Sequence, residues 1–176
     1  MIFLKLMQAG EPVRGEATAF GYVGQIVLSS FSWGLRCDGP PKGSNRYAPL
    51  DPQDVQLGKY FDLASPALYR RMDDWGRKND RREAMYDLAV ITVVDPSTDE
   101  AMGKAEPMLT VTMKQCNIKS ISTSAAEGGR SMRLTESLRL SFAEGSLAYR
   151  PFHPQHAGRR LPPKTVTLPS EAMRRS

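Results

Sequence analysis

Residues 109–152 decide the fold, and within them residues 132–142 read Met-Arg-Leu-Thr-Glu-Ser-Leu-Arg-Leu-Ser-Phe. Apolar residues fall on every second position of this run, and polar residues fill most of the others. A period of two places one set on a buried face and the other set in water. Residues 109–114 alternate in the same way, and a loop with two adjacent glycines separates the two runs. The pattern therefore predicts a β-hairpin, followed after a turn by a third strand.

Glu136 interrupts the apolar row of the second run. One interpretation is a buried carboxylate, paired with an arginine at a contact between subunits, because an unpaired buried charge is costly. The other is a β-bulge that turns the side chain into solvent. The sequence leaves both interpretations open.

Earlier in the chain, residues 2–7 and 25–35 each predict a strand. In the second of these, one side is expected to carry Val27, Phe31, Trp33 and Leu35, and the other Ser30 and Ser32. Residues 36–60 are rich in proline and predict a long loop, of a length that is usually functional or flexible, with a short strand at Val55 and Leu57 near its end. Residues 85–94 predict a strand that is covered on both faces.

A helix is expected to begin at Ser65-Pro66, because serine can accept amide hydrogens of the first turn and proline fits the first helical position. Apolar side chains follow at helical spacing, namely Leu68, Met72 and Trp75. Gly76 is expected to end the helix in a left-handed conformation. The fold class is therefore mainly β, a small antiparallel β-barrel of two sheets with one helix on its side.

The 176 residues carry a net charge of +5, and the charge is unevenly spread. Residues 1–155 have a net charge of +1, whereas the last 21 residues have +4. A nucleic-acid reader would carry a basic face on its folded domain, so nucleic acid is not an expected partner. We expect one domain over residues 1–152 and a basic, proline-rich tail over 153–176. The tail is either an extended arm or disordered. Three roles are open to it, namely contact with a neighbour, binding of cargo and hanging free, and the last is the default.

Two cysteines, Cys37 and Cys116, give no disulfide framework in a chain of this length. No run approaches the ~20 apolar residues that span a bilayer, so membrane insertion is not expected. The first residues lack the features of a signal peptide. We expect a soluble protein that leaves the cell, if it does, without a cleaved leader.

Residues that could carry chemistry are few. His153 and His156 lie in a proline-broken stretch without a nearby cysteine, so a solvated pair is favoured over a metal site. A Ser-His-Asp site is improbable because both histidines lie near the tail. The sequence therefore predicts no catalytic residue, no cofactor and no metal.

Eight short motifs resemble a known family in their types and order. They are Gly15-Glu16, Gln25-Ile26, Phe31-Ser32-Trp33-Gly34, Lys59-Tyr60-Phe61-Asp62, Ser65-Pro66-Ala67-Leu68, Ser120-Ile121-Ser122-Thr123, Glu136-Ser137-Leu138 and Leu140-Ser141-Phe142. Together they resemble the hemolysin-coregulated protein (Hcp) family, the tube protein of type VI secretion. The resemblance extends from residue 1 to about residue 152.

The resemblance implies a structural protein and no enzyme. It implies hexameric rings that stack into a hollow tube, inside a contractile sheath and below a spike protein, with effector cargo in the lumen. It also implies assembly in the cytoplasm of a Gram-negative bacterium, followed by secretion without a signal peptide. The alternative is a contractile-phage-like tail tube protein of a virion or a related injection particle, which shares the fold.

The resemblance assigns three surfaces, each with a plainer alternative. Ser30, Ser32, Thr135, Ser137 and Arg139 are expected to line the lumen, the alternative being an ordinary wet sheet face. Pro40, Pro41, Lys42, Arg46 and Tyr47 are expected in a loop that stacks rings, the alternative being a disordered excursion. Arg70 and Arg71 are expected to face the sheath, the alternative being a solvated end of the helix.

Overall fold

The structure is a computed structural model that describes residues 1–37, 39, 50–77, 84–95, 107–128, 131–152 and 160–168. Eleven strands and one helix lie within these residues. In chain order they are β1 (Ile2–Gln8), β2 (Glu11–Pro12), β3 (Ile26–Ser32), β4 (Leu35–Cys37), β5 (Leu50–Pro52), β6 (Val55–Tyr60), α1 (Ser65–Arg77), β7 (Tyr86–Val94), β8 (Pro107–Gly128), β9 (Ser131–Ser141), β10 (Glu144–Tyr149) and β11 (Lys164–Leu168). The prediction of a mainly β fold with one helix is confirmed.

Six strands close into a barrel. Neighbours hydrogen-bond in the order β8, β7, β1, β3, β6 and β9, and β9 pairs back onto β8, so the ring of strands is complete. Every pairing is antiparallel. This closure gives β6 a partner on both edges, whereas parts of β3 and β8 are paired on one edge only within the described residues.

The long strand β8 takes part in two sheets. Its first half pairs with β7 on one side and with β10 on the other, whereas residues 117–128 pair with β9. β9 and β10 therefore lie end to end along the same edge of β8. Gln115, with a φ of 51°, lies at the junction, where the backbone of β8 leaves the extended conformation. β10 and β11 continue the sheet outside the barrel.

The barrel interior holds the main core, to which α1 adds Leu68. The phase predicted for the second strand is wrong at its start, because Ile26 and Leu28 are buried and Val27 is 42% exposed. A bulge between Leu28 and Ser30 shifts the alternation, so that Phe31 packs on the core again. Ser30 and Ser32 stay on the outer face, as predicted.

The start of α1 is fixed by reciprocal bonds at its first turn. Asp62 Oδ1 accepts a hydrogen bond from the Ala64 N–H at 3.0 Å, and Ser65 Oγ accepts one from the Asp62 N–H at 3.0 Å. The predicted start at Ser65 is confirmed. The predicted end at Gly76 is wrong, because this residue is helical without a left-handed φ and the helix continues to Arg77.

Two segments expected to be irregular contain strands. β4 pairs with β5 in a small second sheet, so residues 36–37 and 50–52 of the range predicted as a loop are strand residues. The short strand predicted at Val55 and Leu57 is confirmed by β6. In the tail, β11 pairs with β10 along five residues. The default of a freely hanging tail is therefore wrong for Lys164–Leu168, and the extended-arm alternative describes this segment.

Candidate assembly surfaces

The predicted lumen residues come together on the outer face of four neighbouring strands. One cross-strand row on β3, β6, β9 and β8 contains Ser30, Gly58, Ser137 and Ser122, and the next contains Ser32, Gln56, Arg139 and Ser120. A third row on β6, β9 and β8 contains Tyr60, Thr135 and Ser124. We call these residues the hydroxyl face. The strand register thus unites five side chains that lie up to 109 positions apart in the sequence.

Gly58 limits how far side chains project from the hydroxyl face, and the ion pair of Arg139 with Asp54 keeps the face nearly neutral. A Cβ atom at Gly58 would lie 2.5 Å from Ser30 Oγ, so a larger residue there would displace the Ser30 hydroxyl. Ser124 and Thr135 hydrogen-bond through their hydroxyls at 2.8 Å. Arg139 lies 3.4 Å from the Asp54 carboxylate, an exposed ion pair of small energetic value.

Two strand edges flank the hydroxyl face. β1 pairs with β3 only as far as Leu28, and residues 29–32 are paired on the β6 side alone. On the opposite flank, residues 117–127 of β8 are paired with β9 alone. Within the described ranges, no strand occupies the other side of either segment. Backbone donors and acceptors on such edges are a template for pairing with another chain.

Below the hydroxyl face, Glu136 points into the barrel and is 3% exposed. Its Oε2 accepts hydrogen bonds from Lys59 Nζ at 2.5 Å and from Ser65 Oγ at 2.6 Å. Lys59 Nζ also reaches Ser65 Oγ at 2.8 Å and Asp62 Oδ1 at 2.7 Å. The three protons of the ammonium group therefore have three acceptors, as a buried charge requires.

Of the two interpretations of Glu136, the buried and paired one is confirmed. Its partner is a lysine of the same chain, so the expected arginine is wrong. A contact between Glu136 and another subunit stays a prediction. A signal for Lys59 was present, since it continues the alternation of Val55 and Leu57 toward the core.

The network also fastens α1 to the sheet. Thr123 Oγ1 donates a hydrogen bond to Glu136 Oε1 at 3.4 Å, and it lies 2.5 Å from the hydroxyl of Tyr69 on the helix. Lys119 lies over the ring of Trp75, with 5.9 Å from Nζ to the ring centroid. The helix is thus held beside the second half of β8.

The two arginines expected to face a sheath differ in their surroundings. Arg70 is exposed on α1, whereas Arg71 is partly buried, with Nη1 3.7 Å from Asp74 Oδ2. Arg70 is therefore the stronger candidate for an external contact. The residues of the predicted stacking loop lie outside the described residues, namely Pro40, Pro41, Lys42, Arg46 and Tyr47. His153 and His156 lie outside them as well.

A sequence model of one family matches residues 3–149, and its description is "Type VI secretion system effector, Hcp". The chain belongs to the Hcp family. The resemblance read from the short motifs is therefore confirmed. Hcp is a structural tube protein of type VI secretion, so the prediction that the chain is no enzyme is confirmed by its family.

Solved structures share the barrel. The Hcp1 protein of E. coli EAEC 042 is 11% identical, with 95% of this chain and 98% of that chain covered and a TM-score of 0.66. Hcp1 from Salmonella typhimurium is 18% identical, with 94% and 91% covered and a TM-score of 0.63. A chain of the anti-feeding prophage baseplate is 16% identical, with 83% and 91% covered and a TM-score of 0.51. No curated protein sequence matches the chain.

The interior of this Hcp chain offers little for chemistry. Burial raises the pKa of the Cys116 thiol to about 12, so the thiol stays protonated at neutral pH. Among the residues that the structure describes, no three His, Cys, Asp or Glu side chains are placed to hold a metal ion. In the same part of the chain, no helix has both the length and the apolar character needed to cross a membrane.

Proposed function

We propose that this Hcp chain forms hexameric rings that stack into the inner tube of a type VI secretion system, with the hydroxyl face toward the lumen. One observation carries the proposal: a neutral face of small hydroxyl side chains lies between two strand edges that have no partner among the described residues. Membership of a tube-protein family supports it.

Pairing between the two edges gives a ring. Residues 29–32 of β3 in one copy would add to residues 117–127 of β8 in the next, and the four-stranded sheets would join into one wall. The two edges are different surfaces, so the contact is heterologous and closes when its rotation divides a full turn. The number six comes from the family and not from the edges.

A lumen lined in this way suits transport of effectors. The serine and threonine hydroxyls are small and partly bonded to one another, and Arg139 has Asp54 as a counterion. Such a wall holds water and offers no deep apolar pocket to a passing protein. We propose that effector cargo travels along this face without being tightly bound.

Contacts outside the ring are proposed from the remaining surfaces. The exposed Arg70 on α1 would face the contractile sheath, and the loop that includes residues 40–47 would stack one ring on the next. The spike protein would cap the tube at its tip. Co-sedimentation of sheath protein with tubes tests the first contact. Tubes of the Arg70→Glu variant should bring down less sheath protein than wild-type tubes.

The alternative is a tail tube of a contractile-phage-like particle. The structural likeness to the anti-feeding prophage baseplate favours keeping it, since that likeness extends over 83% of this chain. The match to the Hcp family model favours the secretion system. Neighbouring genes for a sheath and a membrane complex, or for a capsid, separate the two.

The experiment locates the hydroxyl face within a ring. Light scattering should give the mass of six chains, against 19.5 kDa for one chain. In a Cys37→Ser background, a maleimide-gold label on Ser137→Cys should appear at the centre of annular particles in electron micrographs. The matched control, Arg70→Cys, should place gold at the outer rim. A rim position for gold on Ser137→Cys would contradict the lumen assignment.

A further inference from the structure

The core-facing row of β9 runs past the end of the barrel at the hairpin tip. Leu134 lies opposite Ala125 and Met132 lies opposite Glu127, and the Phe61 N–H bonds the Leu134 carbonyl oxygen. We call these five residues the tip patch. Met132 is 70% exposed, and Leu134 and Phe61 are exposed as well. The patch is thus an apolar surface with one carboxylate.

A second extension of the same sheet lies at the other end of the β9–β10 path. Leu147 of β10 lies opposite Val166 of β11, and Tyr149 lies opposite Lys164. We call these four residues the arm patch. Val166 is 58% exposed and Tyr149 is exposed too, while Leu147 is half-buried against the core. This surface is apolar with one ammonium group.

The arm patch is a built part of the fold, because Arg160 anchors the segment that carries it. Arg160 is 9% exposed, and its Nη2 lies 3.2 Å from Asp95 Oδ2. Its Nη1 donates a hydrogen bond to the Arg150 carbonyl oxygen at 3.1 Å, and the guanidinium lies 4.0 Å from the Phe152 ring centroid. These contacts position β11 beside β10.

The two patches do not cover each other within one chain, because Met132 and Val166 are both largely exposed. They lie at opposite ends of the path formed by β9 and β10. Each patch is apolar, and the charges they carry have opposite sign, Glu127 at the tip and Lys164 on the arm. Two different, complementary patches on one chain are typical of a heterologous contact between copies.

We propose that the tip patch of one copy packs on the arm patch of the next copy in the ring. The inference rests on the proposed function, since it adds a second contact between the neighbouring copies whose strand edges pair. Burial of the exposed apolar side chains supplies the driving force, and the pair of Glu127 with Lys164 sets the orientation. The occupant of each patch is therefore a second copy of this chain.

A charge swap tests the orientation. Glu127→Lys and Lys164→Glu should each raise the concentration at which half of the protein is in rings, by about tenfold, since each places like charges across the contact. The double variant should recover most of the loss. If the double variant instead needs a still higher concentration to form rings, so that the two single effects add, the pairing of Glu127 with Lys164 is contradicted.

A mixing experiment tests the head-to-tail geometry. Met132→Asp blocks the tip patch and Val166→Asp blocks the arm patch, while both leave the strand edges intact. At the lowest concentration that gives wild-type rings, each variant alone should therefore remain a single chain by native mass spectrometry. Their mixture keeps one intact tip and one intact arm, and it should give a dimer and no ring. Val23→Asp, at another exposed apolar residue, should retain rings.

The remaining outcomes separate this inference from the proposed function. Ring formation by both blocked variants would overturn the tip-to-arm contact. An equal loss of rings in Val23→Asp would overturn it too, while ring formation by the wild-type chain stands. A homodimer from one blocked variant alone would show a symmetric contact and would overturn it too. Wild-type protein that stays a single chain at every concentration would overturn both. Circular dichroism of each variant verifies that it folds.

Discussion

Met132 and Glu136 lie four residues apart on the same face of β9, and their surroundings reverse the usual preference. The charged side chain is 3% exposed, whereas the apolar one is 70% exposed. Alternation puts both on the core-facing side. The difference teaches that a sequence pattern chooses the face of a strand, but the neighbouring elements decide whether that face is covered.

Glu136 is covered because the barrel closes around it. β6 lies beside it on one edge and β8 on the other, and the start of α1 supplies Ser65. Residues 131–134 of β9, on the side of the hairpin tip, pair with β8 alone, so Met132 has no β6 strand beside it and is exposed. One region is therefore completed by its own chain, and the other has the features of a surface completed by a second copy.

The largest expected effect comes from breaking the buried pair. Lys59→Ala leaves Glu136 and Asp62 without their ammonium partner in the interior. The free energy of unfolding should fall by about 3–5 kcal/mol, the usual cost of removing one member of a buried ion pair. Urea denaturation of the variant against wild type measures the change.

A double variant sharpens that prediction. Lys59→Met with Glu136→Leu removes the fully buried pair but still leaves Asp62 without its ammonium partner, so only part of the stability lost in Lys59→Ala should return. Exposed Lys5→Ala is the control and should change stability by less than about 0.5 kcal/mol. A similarly small loss in Lys59→Ala would show that the network does not hold the barrel together.

Much of the fold was readable from alternation alone. The parity of residues 132–140 gave the correct face of β9 throughout, and Ser30 and Ser32 lie on the side that was expected. The sequence does not reveal the bulge near Ser29, because serine occurs on buried and exposed strand faces alike. Ser29 and Ser30 therefore do not show where the alternation shifts. Lys59 was missed as a core residue because a lysine in an apolar row reads as an interruption.

The end of the barrel and the arm were beyond the sequence for a different reason. Met132 and Leu140 belong to one unbroken pattern, and only the pairing partners show that the first lies outside the barrel. β11 is a short run of five residues among prolines, so composition favoured an irregular tail. Its place is set by Arg160 and Asp95, a pair 65 positions apart that no local pattern reveals.

A smaller effect is expected from Arg160→Ala, which frees the arm without opening the barrel. The variant loses the Asp95 ion pair and the contact with Phe152, worth about 1–3 kcal/mol together. Hydrogen exchange at β11 should therefore become roughly tenfold faster or more, while β7 and β9 stay protected. Lys164→Ala, at an exposed residue, is the control. Equal protection of β11 in Arg160→Ala would contradict the anchoring role.

The effect that is smallest near neutral pH contrasts the paired charge of Glu136 with an uncharged buried group. Burial raises the pKa of the Cys116 thiol from 9.0 to about 12 and also raises the pKa of the Tyr86 hydroxyl. The unfolded chain therefore loses these protons first as the pH rises. Stability should be complete below pH 9 and should fall from there toward pH 12, by at most about 1.4 kcal/mol per pH unit for each group.

Cys116→Ala isolates the thiol in that alkaline range. The variant should be less stable at every pH because it leaves a small cavity, but its stability should fall less steeply between pH 9 and pH 10. Urea midpoints at several pH values give the two slopes, and Tyr86 accounts for the part that remains at higher pH. Equal slopes below pH 10 would mean that the thiol is not shielded from water. The interior around Cys116 would then be less closed than the interior around Glu136.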